Sequence, residues 1–131
     1  MLLLEAELRL ANGICLLQRS PECAVGHLDR AAELAGGMGA MALRGRALLA
    51  RHDRPDGERE ALEQACVDLV ELTPWRSRAY LALARKLGST HAGREEALEI
   101  SASMLCRFSS MDLPADEARA RTLLWKLSAG K

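Results

Sequence analysis

The sequence predicts an all-α fold, and its residue composition is the first reason. Of the 131 residues, 22 are alanine and 24 are leucine, and both types favour helices. Valine, isoleucine and threonine together number eight, and the aromatic residues number four. A sheet needs β-branched and aromatic residues to cover its faces, so this chain has little from which to build one. Regularly spaced helix breakers and an internal repeat then indicate how the helices are arranged, within a length typical of one domain.

Helix-breaking residues divide the first half of the chain into four short helices. Pro21 suits the first turn of a helix, and the glycines of segment 36–39 suit its end. The segment 52–57 (HDRPDG) ends the third helix, and Thr73 with Pro74 ends the fourth. After an N-terminal helix, the predicted helices therefore cover about 21–36, 40–52 and 58–72.

The second half of the chain contains three more predicted helices. The fifth ends at Gly88, and a loop of small and polar residues leads to the sixth. Pro114 opens the last helix, and its first turn carries Asp116 and Glu117, where negative charge suits the helix dipole. These helices cover about 74–87, 93–108 and 113–128. Short helices joined by short loops predict a stack of helical hairpins.

An internal repeat supports the hairpin arrangement. A shift of 34 positions aligns residues 49–51 (LAR) with residues 83–85 (LAR). A shift of 36 positions aligns residues 60–63 (EALE) with residues 96–99 (EALE), and the difference of two residues falls in a loop, where insertions are tolerated. A period of about 34 residues built from two helices is typical of helical solenoids.

The repeat resembles the tetratricopeptide (TPR) family. The pattern Tyr80-x-x-Leu83-Ala84-x-x-Leu87-Gly88, followed by EALE at 96–99, is similar to the paired-helix pattern of that family, and Pro74 stands where the family closes a repeat. Residues 40–88 are also similar to helical-repeat modules of bacterial signal-responsive ATPases and transcription regulators.

The TPR resemblance implies a right-handed superhelical stack within a single domain over residues 1–131. It would contain three hairpins, at about 2–36, 40–73 and 74–109, and a C-terminal capping helix at about 113–128. In TPR-like stacks the first helix of each hairpin lines a concave groove and the second forms the outer surface. The family binds proteins and peptides, so the resemblance implies an interaction module.

The charged residues are unevenly distributed, although 18 basic and 18 acidic residues give a net charge of zero. The first helices of the second and third hairpins carry seven basic residues and no acid. Segment 56–72 carries six acidic residues and only Arg59 as a base. With the TPR arrangement, this pattern predicts a basic groove with an acidic outer surface.

Four arginines are the candidate binding residues of that groove. Arg44 and Arg51 are separated by two helical turns, and Arg78 and Arg85 repeat that spacing. Forked guanidinium donors suit carboxylates and phosphates. The predicted groove residues are Arg44, Leu48, Arg51, Trp75, Arg78, Leu81 and Arg85, the leucines and Trp75 giving apolar contact. In the alternative, the arginines pair with acids of neighbouring helices and Trp75 packs in the core.

Other classes of function lack a sequence signal. Zero net charge argues against a nucleic-acid or membrane partner, and no apolar run approaches the length of a membrane span. Histidines and cysteines lack metal-ligand spacing, and the four cysteines are expected to pack as small apolar residues in a cytoplasmic protein. No nucleophile, phosphate-loop or cofactor motif is present, so we expect no enzyme activity, no metal and no cofactor.

The leading hypothesis is a non-enzymatic adaptor or chaperone-like module that binds an acidic peptide or partner helix in a basic concave groove. The alternative is a self-assembling structural or regulatory segment of a bacterial signalling system. It would form a homodimer through its terminal helices. Leu2, Leu3 and Leu4 motivate it, because they have no preceding repeat to cover them and otherwise fold over the first hairpin.

Overall fold

The chain is all-helical in a computed structural model that describes residues 2–129. Over that range it forms seven α-helices and no strand, so the predicted all-α class is confirmed. The helices are α1 (Leu2–Leu16), α2 (Pro21–Met38), α3 (Met41–His52), α4 (Arg59–Asp68), α5 (Thr73–Gly88), α6 (Arg94–Ser110) and α7 (Pro114–Ala129). None of these helices is both long enough and apolar enough to cross a bilayer.

The C-terminal ends of α2 and α4 differ from the prediction. Helix α2 continues through Gly36 and Gly37 and is capped by Gly39, whose φ of 73° is the left-handed conformation that glycine adopts at no steric cost. Helix α4 ends at Asp68 rather than at 72. There the backbone N–H groups of Val70 and Leu72 bond to carbonyls three residues earlier, which forms tight turns before α5 begins.

The order of helix contacts places alternate helices beside one another. Each helix packs against the next one in the chain, as expected for consecutive antiparallel hairpins. In addition α1 contacts α3, α3 contacts α5, and α5 contacts α7, whereas α2, α4 and α6 do not contact one another. The odd-numbered helices therefore share one side of the molecule and the even-numbered helices the other.

Small residues allow this close packing. Ala24, Ala31, Ala65 and Ala84 are fully buried between helices. Gly45 lies so close to Leu69 and to Asp68 that a β-carbon at position 45 would displace them. Alanine therefore both favours the helical conformation and fills the core. Because few bulky side chains are present, the helices must approach closely to exclude water.

The turns after α3 and α5 have the same close contact. Gly57 lies against the backbone of His52, and Gly93, 36 positions later, lies against the backbone of Leu87. A β-carbon at either glycine would overlap a backbone carbonyl. The 36-residue repeat of the sequence is therefore also a repeat of local geometry.

The cysteine prediction is correct for Cys66 and wrong for the other three. Cys66 lies in the core, where burial raises the pKa of its thiol to about 11. Cys15, Cys23 and Cys106 are exposed and free. Each of these three cysteines lies on the solvent side of a helix whose other side packs against its neighbours, although the surrounding sequence is apolar.

His52 links the end of α3 to the start of α4 across the turn between them. It is buried at the end of α3, and its Nδ1 accepts a hydrogen bond from the backbone N–H of Glu58 at 3.1 Å, directly before α4. Burial lowers the pKa of His52, and the neighbouring Arg51 cation lowers it further. The neutral imidazole therefore stabilises the start of α4 as an acceptor.

Acidification should weaken the fold through His52. Because the pKa of His52 is lower in the folded chain, the unfolded chain takes up the proton more readily, and stability should fall as the pH drops below the ordinary value of 6.5. Substitution H52N retains a side-chain acceptor but no titration. Urea unfolding between about pH 7.5 and about pH 5.5 should show a smaller loss for H52N than for the wild type. H91N, at an exposed histidine, should behave as the wild type, and an equal loss in all three would contradict the assignment.

Candidate functional site

An open cleft of about 540 Å³ lies on the side of the odd-numbered helices. Residues of α1, α3, α5 and α7 line it, together with the segments that follow α1 and α3, and no residue of α2, α4 or α6 does. The apolar part of the lining comprises Ile14, Leu17, Leu49, Ala50, Trp75 and Leu81. The odd-numbered helices therefore form most of this surface.

The cleft is strongly basic. Within residues 2–129, its charged residues are five arginines and two aspartates, an excess of three positive charges, and they are Arg46, Arg54, Arg78, Arg85, Arg119, Asp53 and Asp116. Low-dielectric walls around a concave surface strengthen the field of such charges. The cleft is thus suited to anionic groups although the chain as a whole carries no net charge.

Trp75 lies between two arginines in the cleft. The guanidinium carbon of Arg46 is 4.7 Å from the ring centroid, and that of Arg78 is 4.8 Å from it. Trp75 and Arg78 are three residues apart in α5, which places them on one side of the helix, and Arg46 reaches the ring from α3. Cation–π attraction holds both guanidinium groups against the ring and so limits their motion.

A buried aspartate connects α5 to α7 beneath this stack. Asp116 is 5% exposed and accepts two hydrogen bonds from Arg78, from Nε at 3.1 Å and from Nη2 at 2.9 Å. It also accepts one from Arg119 at 3.2 Å. The paired geometry fixes the plane of the Arg78 guanidinium beside Trp75.

Some donors in the cleft have no acceptor. Nε of Arg46 and Nη1 of Arg54 are buried and lack a hydrogen-bond partner among the described residues. By contrast, Arg85 donates to Asp53 at 2.9 Å. Buried donors without an acceptor are unfavourable, so an incoming oxygen atom would be stabilised there.

The structure brings together four of the seven predicted groove residues. Trp75, Arg78, Leu81 and Arg85 line the cleft, although Leu81 is 2% exposed and packs mainly in the core with Phe108. The remaining three predicted residues do not line the cleft, and they are Arg44, Leu48 and Arg51.

Arg44 points instead toward the even-numbered helices. Its Nε and Nη2 donate to Asp68 of α4, both at 2.7 Å, and this hydrogen bonding raises the pKa of Arg44. Leu48 packs against the core. Arg51 lies 3.5 Å from Asp29 and 3.8 Å from Asp56. Each of the four predicted arginines has an aspartate partner, which is the pairing that the alternative interpretation describes.

Sequence reasoning missed three cleft arginines, which are Arg46, Arg54 and Arg119. The 34-residue shift pairs Arg46 with Tyr80, so the repeat gave no reason to select it. Arg54 lies in a turn and Arg119 in α7. The alternation of helices could have found Arg119, because α7 follows α5 on the same side of the molecule.

A metal centre has no support in the described chain. Between Leu2 and Ala129, no three histidine, cysteine or acidic side chains come close enough to hold a metal ion together. The two carboxylates of the cleft are already engaged by arginines. The chemistry available there is the binding of anionic oxygen atoms.

Comparisons with known proteins identify no family for this chain. No protein-family model, curated protein or solved structure matches the chain. The TPR resemblance stays a prediction from the sequence pattern.

Removal of the Asp116 charge should destabilise the fold. D116N leaves Arg78 without its buried partner, and we expect the free energy of unfolding to fall by about 2 kcal/mol, less than for a fully buried pair since Arg78 is partly exposed. D29N removes an exposed aspartate that is 3.5 Å from Arg51, and we expect a change below about 0.5 kcal/mol. Urea unfolding measures both, and equal values would show that Asp116 has no special role.

Proposed function

We propose that the chain is a non-enzymatic, TPR-like interaction module that binds an acidic peptide or partner helix in its cleft. The observation that carries the proposal is the set of five arginines converging on an open cleft, two of them held against Trp75. Its setting would be the cytoplasm, which agrees with four free cysteines.

The helix contacts support a TPR-like stack. In such a stack the first helices of successive hairpins lie side by side, and the contacts α1–α3, α3–α5 and α5–α7 follow that order. The cleft is lined by those same helices. In this proposal α7 is the capping helix, with Leu127 buried against Gly88 of α5.

An acidic ligand suits the unsatisfied donors. The carboxylates of glutamate and aspartate offer planar pairs of acceptors to guanidinium groups. Arg46 and Arg54 each have a buried N–H without a partner, and Arg46 forms no ion pair within residues 2–129. The floor formed by Ile14, Leu17 and Leu49 suits a leucine-type side chain beside the carboxylate.

An extended ligand suits the shape of the surface. Arg85 and Arg119 also line a second hollow of about 300 Å³, together with Leu123 and Lys126. The two hollows therefore adjoin at shared residues, and the basic surface continues along α7. A peptide or helix can follow such a surface, whereas a small molecule would occupy only part of it.

The test is a titration with a short capped peptide of glutamate and leucine, compared with its glutamine analogue. In a W125F background Trp75 is the only tryptophan, so its emission reports on the cleft. We expect the glutamate peptide to change Trp75 emission saturably and the glutamine peptide to leave it unchanged. Anisotropy of a labelled peptide should show a loss of affinity of about tenfold or more in the double variant R46E/R119E.

A matched control separates the cleft from general charge. R30E/R121E changes the net charge by the same amount at two arginines outside the cleft. It should weaken binding by less than about threefold. Equal losses in both double variants, or equal binding of the two peptides, would refute the cleft as the site.

Self-assembly is the second candidate, and α1 favours it. Leu4, Leu8, Ala11 and Cys15 are exposed and alternate in spacings of four and three residues. That spacing forms one stripe along a helix, opposite the buried Ala6 and Gly13, as in coiled-coil pairing. Leu2 and Leu3 are exposed as well, so they do not fold over the first hairpin. A second copy of α1 could cover the stripe.

Under this second candidate, sedimentation equilibrium at about 50 μM should show a dimer for the wild type. L4E/L8E should be monomeric, because charges at the centre of an apolar interface oppose its burial. V67E/V70E, at two exposed valines near the end of α4, should remain dimeric. A monomeric wild type would exclude α1-mediated dimerisation.

A further inference from the structure

A small polar hollow, separate from the cleft and from the hollow along α7, lies between the start of α5 and the end of α6. It has a volume of about 180 Å³. Its lining residues are Thr73, Arg76, Ser77, Tyr80, Met104 and Arg107, so two arginines and three hydroxyl groups converge there, with no acidic side chain of residues 2–129 beside them. No residue of this hollow lines the basic cleft.

The two arginines of the hollow differ from most arginines of the chain because no carboxylate pairs with them. Neither Arg76 nor Arg107 forms an ion pair with any residue between Leu2 and Ala129. Arg76 is nevertheless held in place. Its guanidinium carbon is 5.3 Å from the Tyr80 ring centroid, and its Nη2 donates to the Tyr80 hydroxyl at 3.3 Å. Its Nε is buried and has no acceptor within the described chain.

Ser77 adds an unused hydroxyl. It is 3% exposed, and its hydroxyl has no hydrogen-bond partner among residues 2–129. Serine and threonine within helices commonly donate to the carbonyl four residues earlier. Ser101 does so to Ala97 at 2.7 Å, and Thr122 does so to Ala118 at 2.9 Å. Ser77 has no such bond and lines the hollow instead.

We propose that this hollow binds a phosphate-sized oxyanion. Arg76 and Arg107 supply the positive charge, and the hydroxyls of Ser77 and Thr73 donate to the anion's oxygen atoms. The fixed orientation of Arg76 over Tyr80 reduces the entropy lost on binding. The site is independent of the acidic-peptide cleft and does not rest on that function.

The volume restricts the ligand. Pockets for drug-sized molecules measure about 300 Å³ or more, so this hollow accommodates a phosphate ion or the phosphoryl group of a side chain rather than a whole nucleotide. Inorganic phosphate and phosphoserine share the dianion that the arginines recognise near neutral pH.

The test uses amide and arginine Nε–H resonances of the ¹⁵N-labelled full chain. Sodium phosphate is titrated to about 20 mM against chloride at constant ionic strength, and O-phosphoserine is titrated separately, with serine as its control. We expect saturable shifts at Thr73, Arg76, Ser77 and Arg107. A lower dissociation constant for O-phosphoserine than for phosphate would identify a modified side chain as the source, and the reverse order would identify the free ion.

Four variants test the assignment. R107Q alters an exposed side chain, so the fold is retained, and it should raise the dissociation constant for phosphate about tenfold. S77A should raise it about threefold or more. R121Q, an exposed arginine on α7, should leave it unchanged. Absence of saturable shifts around the hollow, or unchanged binding in both R107Q and S77A, would overturn the proposal. R46E/R119E should bind phosphate as the wild type does.

Discussion

The ion pair between Arg78 and Asp116 joins the fifth helix to the last one, and the cleft depends on it. Asp116 accepts two hydrogen bonds from one edge of the Arg78 guanidinium, from Nε and Nη2, and also accepts one from Arg119, so it positions two of the five cleft arginines. Arg78 in turn lies against Trp75, and Arg46 lies on the other side of that ring. One buried carboxylate thus determines where the positive charges of three helices meet.

The positive charges of the cleft can lie close together because neighbouring groups offset part of their mutual repulsion. Since the compensation is incomplete, the cleft stays basic. Asp116 and Asp53 neutralise some of the field of five arginines, while the aromatic ring of Trp75 attracts two of them without supplying negative charge. Arginine suits this arrangement better than lysine, since its planar group can stack on a ring and bind a carboxylate at the same time. The chain contains 15 arginines and three lysines.

Helix positions could be predicted from the sequence more fully than contacts could. Pro21, Pro74 and Pro114 mark helix starts through backbone geometry, which is a local property. The partner of Arg44 is not local, because Asp68 lies on the adjacent helix and Gly45 permits its close approach. Trp75, Arg78 and Arg85 could be selected because the groove follows the first helices, whereas Arg46 reaches Trp75 from a position outside the repeat pattern.

The matching contacts of Gly57 and Gly93 with the preceding helix ends make the hairpin a unit of construction. Because both turns fix the departure of the next helix through backbone packing, the residues between them can be regarded as one interchangeable cassette of 36 positions. Duplication of that segment would add one more helix to the side formed by the odd-numbered helices and would lengthen the basic surface. The existing turn sequence would serve the added hairpin as well. The length of that surface could therefore change in whole-hairpin steps, while the packing within each hairpin stayed the same.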